Sequence, residues 1–293
     1  MSGSGRTGGI GGGSGAGSGS GSDAARARAR HAVHGTGEPV VLVPGSGGSG
    51  TIWEHHQVAA LTAAGYQAIT LDHPDGPGAD PLTATGLAAF VRESVESLGL
   101  PPCRLVGHSF GALAVQELLL TAPELALQAV LVATRGRPDA VGTAMARAEE
   151  ERGATHLRPP PAYEAFMSLT QNLSPRTLAD EAATEEWLDL FEWSALSAPS
   201  GRSSRHRTRP LTHDRLPAYR AIETPVLVIG FADDLLAPVR LGLEVARAVP
   251  GARHLELPDC GHLGFLERPA AFNEAVLDFF ATRPPLPGGP RAL

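Results

Sequence analysis

The chain has 293 residues, 42% of them apolar and 19% charged, enough for one large globular domain or two modest ones. All 24 basic residues are arginine, and the formal net charge of -7 argues against nucleic acid as a main partner. The two cysteines, Cys103 and Cys260, give neither a disulfide framework nor a metal-site spacing. No apolar run approaches the roughly 18 residues of a membrane span, so the expectation is a cytoplasmic protein without membrane or metal.

Residues 1–24 are rich in Gly and Ser; nine glycines and four serines take thirteen of the fifteen positions from Gly8 to Ser22. Such a segment cannot offset the entropy of ordering, and a flexible tail is expected. It contains no G-x-x-x-x-G-K-[ST], which rules out a phosphate loop. Ala24 to Ala32, where Arg26, Arg28 and Arg30 alternate with Ala, reads as an outer edge strand or a basic lead-in. Val33 to Gly37 reads as a turn. Val40–Val43 is a short apolar strand that ends in the glycine loop Pro44–Gly50. Thr51 to Ala64 reads as a helix, Ala68–Leu71 as the next strand, and Asp72 to Pro81 as a Gly/Pro/Asp loop. From Thr85 to Leu98, Leu87, Phe90, Val91, Val95 and Leu98 follow the helical period. Then come a strand at Cys103–Val106, a helix to Leu120 and a strand at Leu127–Val132. Strands and helices thus alternate, as in a mostly parallel sheet covered on both faces.

Residues 134–222 break this rhythm. Glu149, Glu150, Glu151 and Arg152 mark a charged stretch, Pro159–Pro161 breaks the chain, and Tyr163, Phe166, Met167 and Leu169 suggest a short helix. A second helix is expected from Leu178 to Leu196. The segment therefore reads as a helical insertion. The alternating pattern resumes with strand Pro225–Gly230, helix Val239–Val249, strand Arg253–Leu257, loop Asp259–His262 and closing helix Pro269–Phe280. The expected division is core at 25–133 and 223–283, cap at 134–222, and a loose Pro- and Gly-rich tail at 284–293.

The stretch Gly107-His108-Ser109-Phe110-Gly111 is a G-x-S-x-G between a buried-looking strand and a helix. In that context the serine sits at the tip of a sharp bend, and the flanking glycines lack the β-carbons that would clash. A serine hydroxyl needs a base, and the base needs a third group to fix its tautomer. In an open parallel sheet both belong on loops leaving the carboxyl ends of strands. His262, in a Gly-His pair after the Leu257 strand, is the expected base; His108, His55 and His56 are weaker candidates. The acid is Asp234 or Asp233, with Asp234 preferred by counting back from Pro238; the other residue is expected to cap the following turn. Two amides, Ser46 in the glycine loop and Phe110 after the serine, are expected to meet an oxyanion. The same nest would also suit a phosphate.

These motifs resemble the α/β-hydrolase superfamily, and within it the cap-bearing esterase, lactonase and cofactor-free haloperoxidase-like branch. The resemblance spans Ala29 to Thr282. It is carried by Val43-Pro44-Gly45 with Trp53 downstream, the Ser109 motif, Gly230–Pro238, and Gly261-His262 followed by Glu267-Arg268-Pro269. Two departures stand out. Pro44 replaces the histidine common before the first loop glycine, and the acid loop carries one extra residue. The resemblance implies an eight-stranded, mostly parallel sheet with a helical cap inserted after the sixth strand. It also implies acyl transfer to water through Ser109, without a cofactor.

Trp53, Tyr163, Phe166, Met167, Trp187, Phe191 and Trp193 are candidates for lining an apolar acyl pocket, although aromatics at helical spacing also build a cap's own core. The run Arg202–Arg209 is either a solvated loop or a patch steering a carboxylate or carrier phosphate. Hydrolysis of a small-molecule ester or lactone is the leading functional reading. Thioester release from a carrier protein is the second; lyase, cyclase or cofactor-free oxygenase chemistry in the same pocket is the third. A non-catalytic small-molecule receptor is the reading from another class. Oligomeric state is left open.

Overall fold

The computed structural model describes residues 31–74, 82–155, 159–197 and 208–282. The expected flexible tails at 1–24 and 284–293, most of the Asp72–Pro81 loop and most of the Arg202–Arg209 run lie outside them. Seven strands form one sheet: β1 (His31–His34), β2 (Glu38–Val43), β3 (Tyr66–Leu71), β4 (Cys103–His108), β5 (Ala126–Val132), β6 (Val226–Phe231) and β7 (Arg253–Leu257). Their spatial order is β1-β3-β2-β4-β5-β6-β7; β1 pairs antiparallel with β3 and every other pairing is parallel. The resemblance implied eight strands, with six ahead of the cap. Among the described residues there are seven, with five ahead of it.

The central strands are near-continuous apolar runs because both faces are covered. Val41, Val43, Leu105, Leu131 and Val228 point into one core, beneath α2 (Ala84–Ser97) and α3 (Phe110–Thr121). Their neighbours Val40, Leu42, Val106, Val130 and Ile229 point into the other, beside Phe272, Val276, Phe279 and Phe280 of the last helix. The amphipathic pattern of α2 is realised with Leu87, Val91 and Val95 buried. Thr83 caps its first turn by accepting from the Gly86 amide at 2.9 Å.

Two local expectations fail for identifiable reasons. Val33 and His34 belong to strand β1, paired with Ile69 and Ala68, and the turn begins only at Gly35, where φ is +71°. The helix expected over Thr51–Ala64 is split. A 3-10 turn at Gly50–Trp53 is followed, after a break, by α1 (Gln57–Ala63). Asp72, at the exit of β3, accepts from the Ser49 hydroxyl at 2.5 Å and the Gly50 amide at 2.8 Å. That pins the entry of the segment, and Trp53 turns fully into the core.

Between β5 and β6 lies the inserted helical cap: α4 (Ala140–Thr155), α5 (Pro161–Asn172), α6 (Pro175–Leu178), α7 (Glu181–Ser197) and α8 (Leu216–Tyr219). After β6 come α9 (Val239–Ala248), then β7, α10 (Gly264–Glu267) and α11 (Pro269–Ala281). No described helix is long and apolar enough to cross a membrane.

The chain runs from β2 outward to β3, then returns across β2 to β4. That reversal opens a crevice at the carboxyl ends of β2 and β4, the usual ligand position in an open α/β sheet. The glycine loop leaves β2 there, and Ser109 leaves β4. Because the sheet holds these exits together, its packing should be sensitive to lost volume. Leu105, fully buried in β4, is expected to cost about 2–5 kcal/mol when replaced by alanine, read as a lower midpoint in urea unfolding.

Candidate active site

Ser109 is the single residue between β4 and α3, with φ 52° and ψ −114°. A left-handed φ is strained for a residue with a β-carbon, and such strain persists only where the surroundings over-determine it. Here they do. The Ser109 amide donates to Val132 O on β5 at 2.8 Å. A β-carbon at Gly107 would lie 2.6 Å from Gly111 O, and one at Gly111 would lie 2.3 Å from Val43 O. Only glycine allows β4, α3 and the β2 exit to approach so closely.

The glycine loop lies directly against this bend. A β-carbon on Gly45 would be 3.2 Å from the Ser109 Cβ and 2.9 Å from His108 Nδ1. The Gly45 carbonyl accepts from the Gly48 amide at 3.0 Å, closing a tight turn. Because the peptide is planar and trans, the Ser46 N–H points away from that carbonyl. Phe110, as the first residue of α3, has an amide with no intrahelical partner. The Ser46 hydroxyl lies 3.0 Å from that of Thr208, which brings the described end of the arginine-rich run to the rim of the loop.

His262 and Asp234 come together from the exits of β7 and β6. His262 Nδ1 lies 2.8 Å from Asp234 Oδ2, and both side chains are buried. Burial pushes the Asp234 carboxyl upward, but it is outweighed by the His262 charge and hydrogen bond and by the Ala237 and Leu236 amides, and the net shift is downward. An ionised Asp234 can only accept, so Nδ1 donates to Oδ2 and Nε2 is the ring's other nitrogen.

Asp233 is half-exposed, and its amide donates to Cys260 O at 3.0 Å. The extra residue of the acid loop is absorbed because β6 runs on to Phe231 and the Ala232 amide still bonds Leu257 O on the β7 side. Capping of the next turn, expected of whichever aspartate does not meet the histidine, falls instead to Asp234 itself. Its Oδ1 accepts from the Leu236 and Ala237 amides, each at 2.8 Å.

Two further histidines support this cluster. His108 is buried, and its Nε2 donates to the His262 carbonyl at 2.9 Å. Burial first, and the neighbouring His262 second, push its pKa down to about 3, so it is neutral. It therefore holds the backbone of His262 and is not itself a base at neutral pH. His73, at the exit of β3, donates through Nε2 to Pro44 O at 3.0 Å and packs edgewise on Phe110, with ring centroids 6.1 Å apart. The signal for His73 was available: it is a histidine two residues past a buried strand at the sheet's reversal point. His55 and His56 are exposed.

The residues considered for an acyl pocket divide. Trp53 is fully buried, stacked at 4.7 Å on Phe265 and 6.5 Å from His108, so it belongs to the core under the site. Trp187 and Phe191 stack on each other at 5.5 Å, and these two and Met167 are half-buried. Tyr163, Phe166 and Trp193 are each more than half exposed. Among the described residues no group of three or more His, Cys, Asp or Glu side chains is disposed to hold a metal ion.

This constellation, on this sheet, defines a class. Residues 40–275 match the model of the alpha/beta hydrolase family, and the chain belongs to that family. Within it, the chain stands close to the non-heme bromoperoxidase branch. A Mycobacterium tuberculosis protein that carries the name non-heme bromoperoxidase BpoC is 46% identical over 253 residues, covering 85% of this chain and 96% of the relative. The BpoC crystal structure aligns with a TM-score of 0.81 at 44% identity, over 87% of this chain and 96% of that one. A Variovorax paradoxus protein named as a carbamate hydrolase, RutD, is 31% identical over 270 residues, 89% of this chain and 98% of its own.

Two outcomes follow from this geometry. Gly111→Ala should lower stability by about 2 kcal/mol or more, because its new methyl meets the β2 backbone and not a movable side chain; urea unfolding measures it. The second concerns acid. The unfolded chain protonates His108 near pH 6.5, whereas the folded chain resists until about 3. Stability from this group is thus full above about pH 6.5 and falls, by up to about 1.4 kcal/mol per pH unit, on acidification toward 3. Asp234, whose pKa is lowered from 3.8, begins to lose its contribution as the pH falls through 3.8, at the acid end of that window. His108→Gln, which keeps an N–H donor, should flatten the unfolding free energy between pH 6.5 and 4 relative to wild type.

Proposed function

We propose that the protein is a serine hydrolase that cleaves a small-molecule carboxylic ester or lactone through an acyl-enzyme on Ser109. The observation that carries the reading is the buried Asp234–His262 pair, 2.8 Å apart, on the exits of β6 and β7, at the same carboxyl edge of the sheet from which the strained Ser109 leaves β4. The Ser109 Oγ attacks the substrate carbonyl carbon, and His262 Nε2 takes the hydroxyl proton. Asp234 stays ionised and stabilises the imidazolium through Nδ1. The Ser46 and Phe110 amides meet the negative oxygen of the tetrahedral intermediate. As the intermediate collapses, His262 gives its proton to the leaving oxygen. Water, deprotonated by the same nitrogen, then releases the acid from Ser109.

Strain at Ser109 supports this assignment, since an off-minimum backbone at a helix start is kept where it aims a side chain. His73 and His108 then act as positioning residues: one holds the Pro44 carbonyl of the oxyanion loop, the other the His262 carbonyl. The names carried by the relatives add carbamates to the esters and lactones worth testing.

Wild type exposed to a fluorophosphonate should gain one adduct by intact mass, and Ser109→Ala should gain none. On the best member of a panel of esters, lactones, carbamates and thioesters, the alanine variant should lose at least about 10³-fold in kcat. An unlabelled wild type without turnover would sink the mechanism. A labelled wild type that turns over thioesters alone would move the assignment to carrier release.

A further inference from the structure

We propose that Glu267 is a positioning residue that clasps the cap to the histidine loop, so that seating of the cap and placement of His262 are one event. The inference deepens the serine-hydrolase reading and rests on it. Glu267 ends α10, five residues after His262, and its carboxylate bridges two parts of the fold. Oε1 accepts from the Gly261 amide at 2.6 Å, on the residue that precedes His262. Oε2 accepts from the cap: the Ser174 amide at 2.9 Å, the Ser174 hydroxyl at 2.8 Å and the Thr177 hydroxyl at 2.6 Å.

The seam is tied on the other side of His262 as well. The Leu263 amide donates to Asn172 O at 3.1 Å. Gly261 lies so close to the cap backbone that a β-carbon there would be 2.6 Å from Asn172 O. Ser174 also reaches Asp259 O, at 3.0 Å from its hydroxyl. The exit of α5 therefore contacts the residues on both flanks of the imidazole. A groove of about 520 Å³ between α6, α7 and α10, walled by Thr177, Trp187 and Leu266, marks where cap and core part beyond the clasp.

Chemistry requires a carboxylate here. The Gly261 and Ser174 amides are fixed donors, and they face different oxygens of Glu267. Both terminal atoms must be acceptors. A glutamine of the same shape offers one acceptor and one NH2, so it must set a donor against one of the two amides. E267Q should break the bridge at one end and so free the histidine loop and the cap edge together, while removing no volume. A misplacement of His262 on the ångström scale slows deprotonation of Ser109 without altering what the cap binds.

The test compares wild type, E267Q and the cap-side double variant Ser174→Ala/Thr177→Val. One readout is the rate of fluorophosphonate labelling of Ser109; the other is amide hydrogen exchange at 172–178 and 259–264, with β4 to β6 amides as reference. In both variants the two segments should exchange faster together while the sheet stays protected. Labelling should slow by about tenfold or more, with kcat falling and KM moving less. A folded E267Q that labels as fast as wild type, or in which only one segment loosens, overturns the proposal. If E267Q does not fold, the double variant decides by the same criteria. A wild type that never labels at Ser109 counts against the serine mechanism alone, and joint loosening of the two segments then decides the clasp.

Discussion

One steric constraint organises the molecule: β4 must turn into α3 within a single residue while the β2 exit passes directly beneath. That is possible only with glycine at 107 and 111, where added β-carbons would meet backbone at 2.6 and 2.3 Å. The residue between them has no relaxed alternative, and Ser109 takes φ 52° at a cost of about 1–3 kcal/mol. The core around it holds that conformation by density. Val43, Leu105, Leu131 and Phe110 pack in one continuous buried cluster that cannot shift one strand without shifting the others. The strained geometry at Ser109 is thus a property of sheet packing, placed where the strand order reverses.

The second constraint is electrostatic. His108, Asp234 and His262 are buried together, and burial disfavours the charged form of both His108 and Asp234. Local donors break that symmetry. Asp234 receives two amides and an imidazole N–H, and these outweigh its desolvation, so it keeps its charge. His108 has a carbonyl acceptor for one nitrogen and a second imidazole as neighbour; nothing there favours a cation, and it stays neutral. The carboxylate meets the Nδ1 of His262, the ring to which the proposed mechanism gives the proton transfer.

Much of this was readable in the residues. Continuous apolar runs marked the parallel strands because both faces are covered, and the strand–glycine–serine–helix pattern marked the bend. Counting back from Pro238 favoured Asp234, the aspartate that meets His262; the reason it does so lies in β6 continuing through Phe231. What could not be read is mostly long-range. Glu267 is 93 residues from Ser174, and nothing near either indicates that they meet. His73 supports a carbonyl across a sheet reversal that exists only once β3 and β4 lie on opposite sides of β2. Trp53, a candidate for the pocket wall, lies in the core under the site. The Asp72 anchor on Ser49 and Gly50 turns it inward, a contact 22 residues away along the chain from Gly50.

These contacts divide the cap into two parts with different freedom. Its outer surface, with Tyr163, Phe166, Trp193 and Leu196 exposed, touches little of the core. Substitutions there leave the strand exits in place. The inner edge, Asn172 to Thr177, is committed to the backbone on both flanks of His262. Change there moves the backbone that carries His262. The insertion thus has one part tied to the core and one part that is not. Swapping the whole cap between relatives would therefore disturb the histidine loop unless residues 172–177 were kept with the core that they hold.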